Sequence, residues 1–294
     1  MSRFAAPFRT AVLLASWLVL TPSAASAQRY HDDDVDGADI CRPIWREFGR
    51  TMNGRPRAVH CEVRDVGTLP ATSRVSVDGE ERNGVRVRGA QRRDTRVRLV
   101  IQAQGGTIDE ARELVRKVSL DLSQTPLRVS GTTTGDDWRR DRRFVSATIV
   151  VDVPQRSNVT AQVNYAPLDV EGVIGEMDLR ADHGPLTLSD IGGDVRAHVE
   201  YGPISVSLSG AKWQGAGLDA VAHYGPVTLR VPRNFGAELE IGARNGPLDV
   251  DFPITLTRFN GSRITTTLGA GGPRVRAVAE YGPMSLRVNR DTSR

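Results

Sequence analysis

Four tyrosines stand in one recurring context that could support binding chemistry: Tyr165-Ala166-Pro167, Tyr201-Gly202-Pro203, Tyr224-Gly225-Pro226 and Tyr281-Gly282-Pro283. His183-Gly184-Pro185 and Asn245-Gly246-Pro247 put other side chains in the same place. If Tyr165, Tyr201, Tyr224 and Tyr281 form an exposed column, their rings offer a platform for sugars or for a partner's apolar face. If they pack a corner instead, each hydroxyl should bond a neighbouring turn. The sequence admits both.

The histidines are His31, His60, His183, His198 and His223. His223 precedes Tyr224, where the other units carry Asn164, Asp182, Glu200, Arg244 and Glu280. Paired with Glu200, it would make an acid–base couple for carbohydrate cleavage. The variety at this position points to a solvated outer face. A polysaccharide-cleaving enzyme would cluster its carboxylates, whereas Asp169, Asp182, Glu200 and Asp249 scatter over several positions of the repeat. No Gly-x-Ser-x-Gly elbow, His-Glu-x-x-His pair, phosphate-cradling loop or Cys-x-x-Cys occurs. No catalytic residue and no cofactor is expected. Asp32, Asp34, Asp36 and Gly37 match the front of a calcium loop, but its twelfth position is Pro43 instead of a bidentate acid. The stretch reads as an acidic tail, and no metal site is expected.

The residues that must position these side chains are periodic. Val195, Ala197, Val199 and Tyr201 alternate along one face, as do Leu218, Ala220, Ala222 and Tyr224, and Val275, Ala277, Ala279 and Tyr281. Period two marks strands. Gly-Pro then breaks each strand, because Pro donates no N–H and restricts the residue before it. A second short strand follows, as in Leu186-Thr187-Leu188 or Met284-Ser285-Leu286. Successive turns begin 18, 18, 23, 21 and 36 residues apart, the last gap leaving room for two units with one turn lost. Units this small bury a core only by stacking. The expected fold is therefore mainly β, a repetitive parallel β-solenoid of β-helix type. A meandering sandwich gives similar spacing, but identical turn chemistry favours stacking.

Ahead of the repeats, Arg74–Asp78, Val85–Arg88, Arg96–Ile101, Pro126–Val129 and Phe144–Pro154 read as strands, with an Asn83-Gly84 turn. One short α-helix is expected in the N-terminal half, near 108–117. Thr107 is its cap, Glu110 its capping-box partner, and Ile108, Ala111, Leu114, Val115 and Val118 its apolar stripe. Arg86, Arg88, Arg96 and Arg98 fall opposite the valines, and Arg139, Arg140, Arg142 and Arg143 form a second basic cluster. These could meet an anionic envelope polymer, or form a solvated face balanced by Asp94, Asp136, Asp137 and Asp141.

The chain opens with Arg3 and Arg9, an apolar run from Ala11 to Leu20, and Ala25-Ser26-Ala27 before Gln28. This is the pattern of a secretory signal peptide cleaved between Ala27 and Gln28, with a run too short to span a membrane. No transmembrane anchor is expected after cleavage. The only cysteines, Cys41 and Cys61, should pair in an oxidising compartment, closing a loop worth roughly 3 kcal/mol. Basic residues number 39 and acidic 35, and two of the basic ones lie in the leader. The resulting net charge near +2 gives no case for nucleic acid.

Val151-Asp152-Val153-Pro154, Val159 to Tyr165 and the recurring turn-plus-Leu-Thr-Leu units resemble the bacterial "putative adhesin" family over residues 70 to 290. The resemblance implies an exported β-solenoid with an envelope role and no catalytic set. The chain differs in using Tyr-Gly-Pro at the turn. The expected organisation is a signal peptide (1–27), a segment with the Cys41–Cys61 disulfide (28–66), a strand-rich lead-in with the helix (67–152) and the repeat region (153–294). The expected function is a non-enzymatic, adhesin-like protein of the periplasm, the cell surface or the secreted fraction. It would bind an envelope polysaccharide or surface protein, through Tyr165, Tyr201, Tyr224 and Tyr281. The alternatives are a polysaccharide-acting β-helix enzyme and a structural envelope scaffold that self-associates through an open edge.

Overall fold

The computed structural model describes residues 41, 58–70, 74–80, 82–133, 143–254 and 257–289. The signal segment with its Ala27–Gln28 cleavage site, the Asp32–Asp36 stretch, and Arg139, Arg140 and Arg142 lie outside them. The Cys41–Cys61 disulfide is formed, with Cα atoms 6.0 Å apart.

The N-terminal part contains β1 (Ala58–Pro70), β2 (Arg74–Asp78), β3 (Gly84–Ala90), β4 (Asp94–Gly105), α1 (Ile108–Lys117), β5 (Ser119–Leu120), β6 (Val129–Ser130) and β7 (Phe144–Pro154). The repeats supply β8 (Asn158–Val163), β9 (Leu168–Glu171), β10 (Ile174–Ala181), β11 (Leu186–Ser189), β12 (Gly192–Tyr201), β13 (Ile204–Ser207), β14 (Gly217–Tyr224) and β15 (Val227–Val231). The chain closes with β16 (Ala237–Ala243), β17 (Leu248–Asp251), β18 (Arg258–Phe259), β19 (Arg263–Leu268), β20 (Arg274–Tyr281) and β21 (Met284–Val288).

The fold is mainly β, built on two large mixed sheets. Sheet A runs β1-β4-β7-β3-β9-β11-β13-β15-β21-β17, and sheet B runs β18-β19-β16-β20-β14-β12-β10-β8-β2. The strands flanking each Gly-Pro turn fall one in each sheet, so every unit makes a rung that lies in parallel register on its neighbour: Met177 on Val195, Val195 on Leu218, Leu218 on Val275. The parallel order expected from 153 to 294 holds through most of the stack. Antiparallel pairs interrupt it at β16–β19 and β18–β19, and the N-terminal β1–β4 and β4–β7 pairs are antiparallel too.

The rungs are not all in chain order. After β14 and β15 the chain passes one place, lays down β16 and β17, and returns through the β18–β19 ribbon. β20 and β21 then insert between the two earlier rungs, pairing on both sides. This corrects the reading of the 36-residue gap before Tyr281: it holds an antiparallel excursion, with no turn lost.

Inside, Ala220, Ala222, Ala277 and Ala279 of sheet B face Ile204, Val206, Leu229 and Leu286 of sheet A in one continuous buried core. Small residues on one sheet and large ones on the other keep the layers close, each buried Val, Leu or Ile contributing about 1.5–3 kcal/mol. Sheet A extends beyond sheet B at the N-terminal end, and α1 covers that overhang by burying Ala111 and Val115. Thr107 accepts from the Glu110 N–H, while the Glu110 carboxylate reaches back to the N–H of Gly106, one residue before the cap. Ile108, expected in the apolar stripe, is exposed. The longest strand is β1, at 13 residues, because the 58–70 stretch pairs along its length with β4 despite its weak alternation.

Candidate binding ridge

By parity along β12, Tyr201 belongs with the inward residues Val195, Ala197 and Val199, yet its ring is 46% exposed. Tyr165, Tyr224 and Tyr281 are 53%, 42% and 49% exposed. The strand ends at the tyrosine, and the first inward residue after the turn, such as Ile204, already closes the core beneath it. The ring is left outside, on a ridge along the corner of the stack.

The ridge is a continuous stack. Ring centroids are separated by 4.5 Å from Tyr165 to His183, 4.7 Å from His183 to Tyr201, 5.0 Å from Tyr201 to Tyr224 and 5.1 Å from Tyr224 to Tyr281. Neighbouring planes lie within 24° of one another. Rung spacing of about 4.8 Å imposes this separation, and each offset pair contributes about 0.5–1.5 kcal/mol beyond its buried area. His183 therefore serves as a ring of the ladder. The guanidinium of Arg82 lies 5.9 Å from the Tyr165 centroid at one end. At the other end Asn245 stands in the ring position and donates to the Glu280 carbonyl.

Stacking occupies the faces of the interior rings, so ring edges and hydroxyls are what the ladder presents outward. A sugar cannot lie flat on Tyr201 or Tyr224. It can run along the ladder and exchange hydrogen bonds with phenols repeated at the rung spacing.

A polar row runs beside the rings: Glu80, Asn164, Asp182, Glu200, His223 and Glu280 in spatial order. The Nδ1 of His223 is 2.8 Å from Glu200 Oε1 and its Nε2 is 3.5 Å from Glu280 Oε2. Its ring lies 4.2 Å from that of Tyr224. The hydrogen bond with His223 holds the Glu200 carboxyl below the ordinary value of 4.5, against the opposing effect of burial. Asp182 lies 3.0 Å from the Nδ1 of His183. At the N-terminal end of the row an open groove of about 520 Å³ is lined by Asp78, Glu80, Asn164, Asp182, His198 and Glu200.

The structure brings Glu200 and His223 into contact and sets Asp182 beside Glu200 in the same row. It does not add Asp169 or Asp249, which lie on the outer face of sheet A beside Arg86 and Arg287. The four carboxylates of the enzyme reading thus occupy two separate surfaces. Among the described residues no group of three or more His, Cys, Asp or Glu is arranged to hold a metal.

The arginines of the lead-in are largely neutralised where they stand. Arg96 pairs with Asp65 at 2.6 Å, Arg98 with Asp152 at 2.8 Å and Arg86 with Asp169 at 3.5 Å. These counter-ions differ from the expected Asp94, which pairs with Arg92. Local charge counting missed them because the partners arrive from other strands.

No family model matches the chain, and no curated protein does. Similar solved structures include a "putative cell adhesion protein" from Clostridium sporogenes, at 10% identity and TM-score 0.39, covering 79% of this chain and 100% of that one. Another is a "putative adhesin" from Bacteroides fragilis, at 10% identity and TM-score 0.35, covering 78% and 97%. A third, from Parabacteroides distasonis, shows 9% identity and TM-score 0.30, covering 78% and 97%.

Proposed function

We propose that this is an exported, non-enzymatic, adhesin-like envelope protein whose stacked rungs form a short β-solenoid. Its ridge of Tyr165, Tyr201, Tyr224 and Tyr281 binds an envelope polysaccharide. The observation that carries this reading is the ladder itself: five aromatic rings in unbroken contact, held half-exposed at a corner. The tyrosines lie outside the buried core, and Asn245-Gly246-Pro247 makes the same turn without a ring. An extended glycan supplies hydroxyls at a repeat close to one rung per sugar and matches a row of phenols flanked by carboxylates. The Cys41–Cys61 disulfide supports export, because such a bond persists in an oxidising compartment.

The test is retention of the purified protein on immobilised envelope polysaccharides and peptidoglycan, beside a variant with Tyr201, Tyr224 and Tyr281 changed to Ala and shown by circular dichroism to stay folded. Selective retention that the variant loses supports the reading. Absence of retention on every matrix overturns its glycan form and leaves a surface protein as the partner.

A further inference from the structure

A second cluster lies at the far ends of β15 and β21 from the Gly-Pro turns. Arg230 and Arg287 are direct register partners in the parallel ladder, so two arginines spring from adjacent positions of neighbouring strands. Like charges in that position destabilise a sheet. Arg233, just beyond β15, adds a third. Together with Asn234, Asp251 and Asn289 these arginines line an open cleft of about 810 Å³.

The charges in this cleft are unevenly matched. Arg287 is bound by Asp249, whose hydrogen bond and charge raise its pKa further, and Asp251 stands beside it in register. Arg230 and Arg233 meet no carboxylate among the described residues. Elsewhere on the sheets, Arg86, Arg96, Arg98, Arg274 and Arg276 all do. The floor is fixed: the Asn289 amide donates to the Leu208 carbonyl at 2.6 Å, and its backbone N–H donates to Val231. Among the described residues the cleft thus holds two guanidiniums without a carboxylate partner beside a third that is anchored.

The surface leading to it is a strip of hydroxyls. Thr187, Ser205, Thr228 and Ser285 follow one another in register, and Ser207 is the partner of Arg230. All lie on the outer face of sheet A, opposite the buried leucines and valines. Among the described residues no aromatic side chain lines the cleft, which gives no stacking of the kind single-stranded nucleic acid uses. Guanidiniums grip carboxylates in a bidentate manner, and a flat row of hydroxyls suits sugar hydroxyls.

We propose that the cleft of Arg230, Arg233 and Arg287 is an anion site for a carboxylate-bearing glycan, a uronic-acid chain lying along the Ser/Thr strip with its carboxylates on Arg230 and Arg233. The site is separate from the tyrosine ridge. Its affinity falls with ionic strength, because both arginines are solvent-exposed.

The probes are oligogalacturonate, the same chain fully methyl-esterified, and polyglutamate of equal charge, each titrated calorimetrically into the full chain at low salt. Oligogalacturonate should bind, the ester should not, and polyglutamate should bind at least tenfold more weakly. Changing Arg230 and Arg233 together to Gln should weaken oligogalacturonate at least tenfold without lowering the Tm, because neither arginine makes an ion pair among the described residues. The Tyr201, Tyr224 and Tyr281 variant should bind it normally. Equal binding by the arginine variant, equal binding of polyglutamate, or no binding of oligogalacturonate to the parent would each overturn the assignment.

Discussion

A Cβ placed on Gly225 would lie 2.0 Å from the carbonyl oxygen of Gly202, one rung away. The same approach recurs from Gly184 to Ala166 and from Gly282 to Gly225, at 2.0 and 2.3 Å. The glycine of each Gly-Pro turn is thus demanded by the neighbouring backbone, and the closeness of these turns holds the aromatic ladder at stacking distance. Gly225→Ala should force the rungs apart and destabilise by about 3 kcal/mol, at the upper end of overpacking costs. Ala166 stands at the first such turn, where the loop beneath takes a different path, so Ala166→Gly should cost no more than about 1 kcal/mol. Paired urea titrations would check the contrast, and equal effects would contradict it.

Glu240 is buried among Arg263, Arg274 and Arg276 at the rung that β20 joins. Burial acts to raise its carboxyl, but the hydrogen bond from Arg274 and the three positive charges outweigh it and hold the group below its ordinary value of 4.5. A depressed carboxylate stabilises the fold above its unfolded pKa, and that stability is lost as pH falls through the lower folded value. Glu240→Gln should cost about 1–3 kcal/mol at pH 7, towards the lower figure because the arginines reach solvent. The gap from the parent should narrow as the pH falls below 4.5. Thermal melts from pH 7 to 3 would show it, and a gap that widens in acid would contradict the assignment.

Because β20 and β21 fill a slot between earlier rungs, the end of the chain carries more of the fold than an ordinary terminal repeat. Ending the protein at Leu268 removes Val275, Ala277, Ala279, Met284 and Leu286 from the core and leaves β14 and β16 without a shared neighbour. Loss of five buried side chains at about 1–3 kcal/mol each is as large as the whole stability of a typical domain. The truncated chain should lack a cooperative thermal transition. Retention of one within a few degrees of the parent would show that the outer rung closes directly on β14.

Much of the architecture was legible because the repeat states it twice, in the period-two apolar positions and in the Gly-Pro turns. The strands at Arg74, Val85 and Phe144, the helix at 108–117 and the disulfide follow from local patterns of this kind. The inserted final rung was not legible, since the Tyr281 unit reads like its neighbours and spatial order depends on where the β18–β19 ribbon turns back. The exposure of the tyrosines was hidden for a related reason: parity groups Tyr201 with Val199, and only the end of the strand releases it. The counter-ions Asp65, Asp152 and Asp169 come from strands distant in the chain, beyond what charge counting within a segment can find. Arg230 and Arg287 occupy corresponding positions of two repeat units, so their juxtaposition could have been read from the spacing once the stacking order was known.

The ladder presents hydroxyls, and the most direct measurement is therefore one that removes them while keeping the rings. Tyr201, Tyr224 and Tyr281 changed together to Phe should preserve the stack and leave the Tm within a few degrees of the parent. Calorimetric titration with the polysaccharide that the parent retains best should show affinity reduced at least tenfold, about 1.4 kcal/mol. Unchanged affinity in a folded Phe variant would contradict the claim that glycans are read by the phenol row.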